Sequence, residues 1–222
     1  MNDDLDNRRP LKSRDTGWAR SGAAWLARAG VTPDAVSAGA VVFGVVGGVL
    51  FAASGLCEGW ARGAALFAAA LCIQLRLICN LMDGMVAVEH GKGGPLGPIW
   101  NELPDRIADA CFLVGAGYGA AFAGIDWAEA AGWAAAVFAV MTAYIRELGR
   151  ALGQPADFGG PMAKPQRMAL LTLAAVISIF EHMWRWCGLT LAIALGLIAI
   201  GAALTAAVRT GRLAARLKSG TS

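Results

Sequence analysis

Charge is scarce in this chain: Asp, Glu, Lys and Arg make up 16% of its 222 residues, against about 25% in ordinary soluble domains. That deficit excludes the usual surface of a soluble protein. Histidine is scarcer still. The only two, His90 and His182, fall on opposite sides of the membrane inferred below, so no histidine pair is available to a metal. The five cysteines (57, 72, 79, 111 and 187) form no CxxC pair, which argues for small buried apolar residues rather than a zinc site or disulfide framework. The first 33 residues lack the apolar core of a signal peptide, so the N-terminus is expected to stay uncleaved in the cytoplasm. The net charge of +3 fits basic flanks facing anionic lipid head groups, and nothing in it calls for nucleic acid.

What the chain has in quantity is apolar surface, with 57% hydrophobic residues and 29 Gly. A spanning helix needs roughly 20 mostly apolar residues. Six runs qualify: 35–55, 61–82, 107–125, 131–151, 168–184 and 187–208. The expected fold is an all-α integral membrane protein of six transmembrane helices. Before them, Trp18 to Gly30 sets Trp18, Ala24, Trp25 and Leu26 beside Arg20 and Arg28, which reads as an amphipathic helix on the cytoplasmic surface. The chain divides into a cytoplasmic N-terminal segment with this juxtamembrane helix (1–33), a six-helix membrane domain (34–209) and a basic cytoplasmic tail (210–222).

Lys and Arg in short connections mark the inner side of a membrane. The N-terminal segment holds six, the 88–106 loop two, the 146–167 region four and the C-terminal stretch from Arg209 onward four, whereas the other connections hold only Arg62 and Arg185. Both termini are therefore expected inside. Trp60, Trp127, Trp133, Trp184 and Trp186 gather at the outer ends, as interfacial aromatics do. The spacings Gly44/Gly48 and Gly115/Gly119 allow close helix approach, within one chain or between two.

The stretch CNLMDGMVAVEHGKGGPLGPIWNELPDR, residues 79–106, puts charges and amides at the edge of this membrane. Arg76, Asn80, Asp83 and Ala87 are four, three and four residues apart, which places them on one helical face. Asn101, Asp105 and Asp109 recur every four residues and form a second polar stripe. Between the stripes lie Gly91, Gly93, Gly94, Pro95, Gly97 and Pro98, a turn composition that ends helices. Two antiparallel helices joined here would turn their stripes toward each other. Ionisable groups at membrane depth usually face a functional polar cavity, and converging carboxylates and amides are hard oxygen ligands suited to magnesium, calcium or manganese.

These intervals resemble the signature of the CDP-alcohol phosphotransferase family, D-x2-D-G-x2-A-R-x8-G-x3-D-x3-D. The corresponding positions are Asn80, Asp83, Gly84, Ala87, Val88, Gly97, Asn101 and Asp105, every interval being kept. Two aspartates are replaced by Asn80 and Asn101, and the arginine by Val88. The resemblance implies a membrane transferase of phospholipid biosynthesis. It would move a phosphatidyl or phosphoalcohol group from a CDP-linked donor, foremost CDP-diacylglycerol, to an alcohol acceptor with release of CMP. It also implies Mg2+ or Mn2+ held at Asp83, Asn80, Asn101 and Asp105, with Asp105 as general base, and nucleotide contacts at Gly84, Ala87 and Gly97, where small residues let the donor approach the backbone. A homodimer in a bacterial inner membrane, with its site facing the cytoplasm, completes the expectation. Arg76 is read either as a structurally paired buried cation or as a phosphate ligand with a guanidinium fork.

A second basic group follows. Arg146 and Arg150 are four residues apart, and Lys164 and Arg167 open the next span. All four could gather above the same cavity. The resemblance assigns Arg146, Lys164 and Arg167 to a phosphate of donor or acceptor, although basic residues are expected at an inner loop in any case. Arg146, nearest the membrane and beside Tyr144, is the foremost of them. The alternative to an enzyme is a catalytically inactive relative that binds lipid or regulates a partner. A transporter fits less well, because the polar residues collect at one membrane face rather than along a central path.

Overall fold

The structure is a computed structural model that describes residues 16–89, 96–183 and 186–219. Among these residues seven α-helices follow one another: α1 (Gly17–Arg28), α2 (Pro33–Ser54), α3 (Gly59–Glu89), α4 (Gly97–Phe122), α5 (Trp127–Ala151), α6 (Lys164–Ser178) and α7 (Leu189–Ser219), with a 3-10 turn at Glu181–Met183. Local signals set several of these ends. Thr32 caps α2 by accepting from the Ala35 amide at 3.2 Å, with Pro33 in the first turn, an arrangement that satisfies one otherwise orphaned donor. Leu96 precedes α4, which carries a proline in its first turn and Pro104 inside it. Pro104 removes one backbone hydrogen bond immediately before Asp105.

Four of these helices are long and apolar enough to cross a membrane: α2, the Gly59–Ala87 part of α3, α5 and α7. The other two expected spans differ for physical reasons. Within α4, Glu102, Asp105, Arg106 and Asp109 charge the first half. With 15 residues, α6 reaches only about 22 Å, short of an apolar layer about 30 Å thick. Several helices also outrun their apolar segments. The expected span 61–82 lies inside a helix that continues to Glu89, and 187–208 inside one that continues to Ser219, because a helix can carry charged residues past the point where hydropathy ends.

Glycine contacts hold the first half together. Helix α2 packs along both α3 and α4. A Cβ added at Gly44 would sit 2.6 Å from Ala108, and one at Gly48 would sit 2.5 Å from the Cys111 carbonyl oxygen. Gly115 and Gly119 face Gly48 and Phe51 so closely that any side chain would overlap their backbones. Both small-residue pairs therefore serve packing within the chain. In the second half, α5 packs on α4 and α7, and α6 on α3 and α7. Phe51, Leu66, Ile73, Phe112, Leu171 and Leu195 are buried in the shared core.

Two ends can be told apart. At one, α3 finishes and α4 begins, and polar side chains collect. At the other, Trp60, Trp127 and Trp186 are exposed, and Arg62 is paired with Glu181 at 3.1 Å with both buried. Helix α1 lies against the end of α3, burying Ala19 and Ala23 beside Leu81, Met82, Met85 and Val86. Trp18 and Trp25 point away and are exposed. The expected contributions of His90, Trp184, Arg185 and residues 1–15 lie outside the described residues.

Candidate functional site

Helices α3 and α4 touch little along their lengths, since α2 lies against both, but they are joined by polar side chains at the first end. Arg76 is wholly buried. Its Nη2 donates to Asp109 Oδ1 at 2.5 Å and to the Asp105 carbonyl at 3.1 Å, and lies 3.2 Å from Asp105 Oδ1. One turn along, the Asn80 amide donates to Asp105 Oδ1. Arg76 is thus a paired buried cation through Nη2, while its Nε and Nη1 have no hydrogen-bond partner among the described residues. Asp83, a residue nearly buried, sits on the α2 side of the same face and accepts from Ser37 Oγ at 2.7 Å.

The basic residues divide. Lys164, at the start of α6, donates its ammonium to Asp105 Oδ2. Arg167 lies deeper and is buried, reaching Asp109 Oδ2 at 3.4 Å, the Met162 carbonyl at 3.0 Å and Thr142 Oγ1 at 3.3 Å. Arg146 stands nearer the rim, 2.6 Å from both oxygens of Glu102 and 2.8 Å from Glu147 Oε1, with its guanidinium 5.4 Å from the centre of the Phe158 ring. Arg106 also donates to Glu102. Arg150 pairs with Glu147 at 3.1 Å on the exposed side. Lys164 and Arg167 thus join the aspartate cluster, whereas Arg146 and Arg150 form a neighbouring acidic and basic rim.

Among the glycines of the motif, Gly97 has open space where a Cβ would stand. Gly84 and Ala87 are half-buried in the last turns of α3. The side chains of Val88 and Asn101 lie outside the described residues, although the backbone of Asn101 is helical in α4.

Several participants carry no motif. Ser37 reaches the site from α2, forty-six residues before its partner Asp83. Glu102 lies between two motif positions. Asp109 belongs to the polar stripe, but only its contacts to Arg76 and Arg167 give it a task. Buried Arg209 on α7 donates to the Thr142 carbonyl at 2.7 Å and the Gly159 carbonyl at 2.9 Å, tying the 152–163 connection to the bundle. A basic residue in the first turns after an apolar run is the only signal that could have singled it out.

The donor set suits one divalent cation better than two. Among the described residues no three His, Cys, Asp or Glu side chains come together as a metal-binding group. Asp105 has both oxygens engaged by Arg76, Asn80 and Lys164. Asp83 has a hydroxyl as its side-chain partner, and Asn80 turns its amide nitrogen to Asp105 Oδ1, which leaves its carbonyl oxygen as a hard ligand.

No family profile matches the sequence. The phosphatidylinositol phosphate synthase of Mycobacteroides abscessus is 29% identical over 163 residues, covering 69% of this chain and just under two thirds, 66%, of that protein. The synthase of the same name from Mycolicibacterium smegmatis is 26% identical over 191 residues, covering 80% of this chain and 75% of its own. Among solved structures, the Mycobacterium tuberculosis phosphatidylinositol phosphate synthase in complex with manganese and citrate superposes with a TM-score of 0.73 at 25% identity, covering 88% of each chain. The same enzyme with CDP-DAG bound gives a TM-score of 0.73 at 25% identity, covering 88% of this chain and 92% of its own.

Proposed function

We propose that this chain, similar to the phosphatidylinositol phosphate synthases at 25–29% identity and carrying the spacing of the CDP-alcohol phosphotransferase signature, is an enzyme of that family that transfers a phosphatidyl group from CDP-diacylglycerol to the hydroxyl of an alcohol, releasing CMP. The observation that carries this is the hydrogen bond from Asn80 on α3 to Asp105 on α4, with Asp83 on the same face of α3 as Asn80, at unbroken motif spacing. The named relatives are all synthases, which lends nothing to an inactive relative.

In this reading the acceptor oxygen bonds to the phosphorus next to diacylglycerol, the bond from that phosphorus to the CMP oxygen breaks, and the acceptor proton passes to Asp105. A magnesium or manganese ion, when bound, supplies Lewis-acid neutralisation of the diphosphate. Asp83 would hold it, with Asn80 and Asn101 as neutral oxygen donors and Asp105 beside it. Arg76 and Lys164 hold the Asp105 carboxylate in place. Lys164 is partly exposed, at 23% for its side chain, and carries its charge on a flexible stem. When it turns to a donor phosphate, Asp105 loses one of its cations and becomes the stronger base. Open space over Gly97 suits a nucleotide lying against the backbone. Arg146 serves a phosphate at the rim, once that anion displaces Glu102.

The membrane setting completes the proposal: six spans, with α4 and α6 sheltered among the four more apolar helices, α1 lying at the surface, residues 210–222 as a basic tail, and the site on the cytoplasmic side of a bacterial inner membrane. The protein assembles as a homodimer, to be checked by mass measurement in detergent. The defining experiment measures CMP release from CDP-diacylglycerol by purified protein against a panel of alcohols with Mg2+ or Mn2+. Turnover with at least one alcohol, abolished by Asp83→Ala, is expected. Absence of CMP release across a broad panel refutes the reading.

A further inference from the structure

Among the described residues, the interior of the site is already balanced in charge. Three cations, Arg76, Lys164 and Arg167, meet two carboxylates in the ion pairs Arg76–Asp109, Arg76–Asp105, Lys164–Asp105 and Arg167–Asp109, and a third carboxylate, Asp83, stands on the same face of α3 as Arg76 with Ser37 as its side-chain partner. Arg76 and Arg167 are buried to 2% exposure or less. Arg76 also holds its Nε and Nη1 buried with no hydrogen-bond partner among the described residues, so this guanidinium retains donors for an incoming anion. A divalent ion added alone would leave two uncompensated positive charges among side chains that are mostly buried, where such an excess is costly. The diphosphate of a CDP-linked lipid brings negative charge of the same size.

We propose that Arg76 fills the place of a second cation, so that the site takes a single divalent ion and takes it together with the donor diphosphate. The proposal rests on the donor reading above and deepens it: Arg76 and Asn80 set both the number of ions and the order of loading. Asn80 marks where charge was removed. It is neutral, bonded to the carboxylate that Arg76 also contacts, so an aspartate at 80 would restore the negative charge that a lone ion needs. By linkage, whatever factor the donor adds to metal affinity, the metal adds to donor affinity.

The test is binding, read separately from turnover. Free Mn2+ is followed by electron paramagnetic resonance as it is titrated into the full-length protein in nanodiscs, with and without CDP-diacylglycerol, and donor binding is measured with and without Mn2+. One Mn2+ per chain is expected, bound at least about tenfold more tightly with donor present, and donor affinity should rise by the same factor. Asn80→Asp should tighten Mn2+ binding in the absence of donor and shrink the coupling. Arg76→Gln should do the same, and if that variant does not fold, Asn80→Asp decides the matter alone. Two ions per chain, or equal Mn2+ affinity with and without bound donor, overturns the proposal while leaving the donor reading intact. Failure of CDP-diacylglycerol to bind under any condition overturns both.

Discussion

Asp83 and Asp105 occupy equivalent places in the motif yet live in different surroundings, and their substitutions should separate accordingly. Asp83 meets Ser37 and is the carboxylate best placed for an ion, so Asp83→Ala should abolish Mn2+ binding and CMP release together, measured by titration and by turnover on one preparation. Asp105 is gripped by Arg76, Asn80 and Lys164 and is the proposed base for the acceptor proton. Asp105→Asn should lower kcat by about 10²–10⁴, the usual reach of general base catalysis, while CDP-diacylglycerol affinity changes by only a few fold. Equal losses of donor binding in both variants would remove the distinction. At this scale the sequence is legible where intervals of three and four residues define one helical face, and spacing alone is enough to group Arg76 with Asn80 and Asp83 and to set Asp105 opposite them. Ser37 and Arg209 are not legible, because each enters from a helix remote in sequence and no local pattern marks a residue whose partner is decades of positions away.

Among the elements, α2 is the one on which the site depends without contributing a motif residue. It packs on both motif helices through glycines, and its contacts leave no room for a Cβ at Gly115 opposite Gly48. Gly115→Leu should lower thermal stability in detergent by about 1–3 kcal/mol or more, as overpacking does, and activity should fall with it. Gly211 in α7 is the control, since an added Cβ there meets nothing within 4 Å. Gly211→Ala should be neutral or stabilising by about 0.5–1 kcal/mol through helix propensity. The glycine spacings are visible in the sequence, but whether they serve one chain or two is not, because periodicity reports a smooth face and never what covers it. Helix ends are the least legible feature. Apolar runs locate α2 and α5 to within a few residues at most ends, whereas α3, α4 and α7 extend into charged sequence, and α6 stops at Ser178 short of the apolar run that continues past it.

Across the whole molecule, buried ionic clusters stand at opposite ends of the bundle, and the one at the tryptophan-rich end lies apart from the site. There Glu181 accepts from Arg62 at 3.1 Å and from the Gly188 and Thr190 amides at 2.8 and 2.6 Å, fastening α3 and the start of α7 together. Glu181→Ala should cost about 3–5 kcal/mol, the usual penalty for stranding a buried charge, seen as a lower melting temperature with unchanged CMP release per folded molecule. Orientation has its own check. On a background lacking the five native cysteines, a cysteine at Asp126 should react only from outside the cell, and labelling only from the cytoplasm would invert the topology. The pairing of Arg76 with Asp109 also has a consequence in time. The two are 33 residues apart, so a ribosome adding about 5–20 residues per second delivers the aspartate roughly 2–7 seconds after the arginine. Through that interval α3 presents an unmatched guanidinium to the insertion machinery, at a cost of about 2.5–3.5 kcal/mol at mid-membrane. The nascent α3 is therefore expected to stay beside the insertion channel until α4 arrives, and crosslinking of stalled nascent chains to the channel should persist until Asp109 has been added and fall away beyond it.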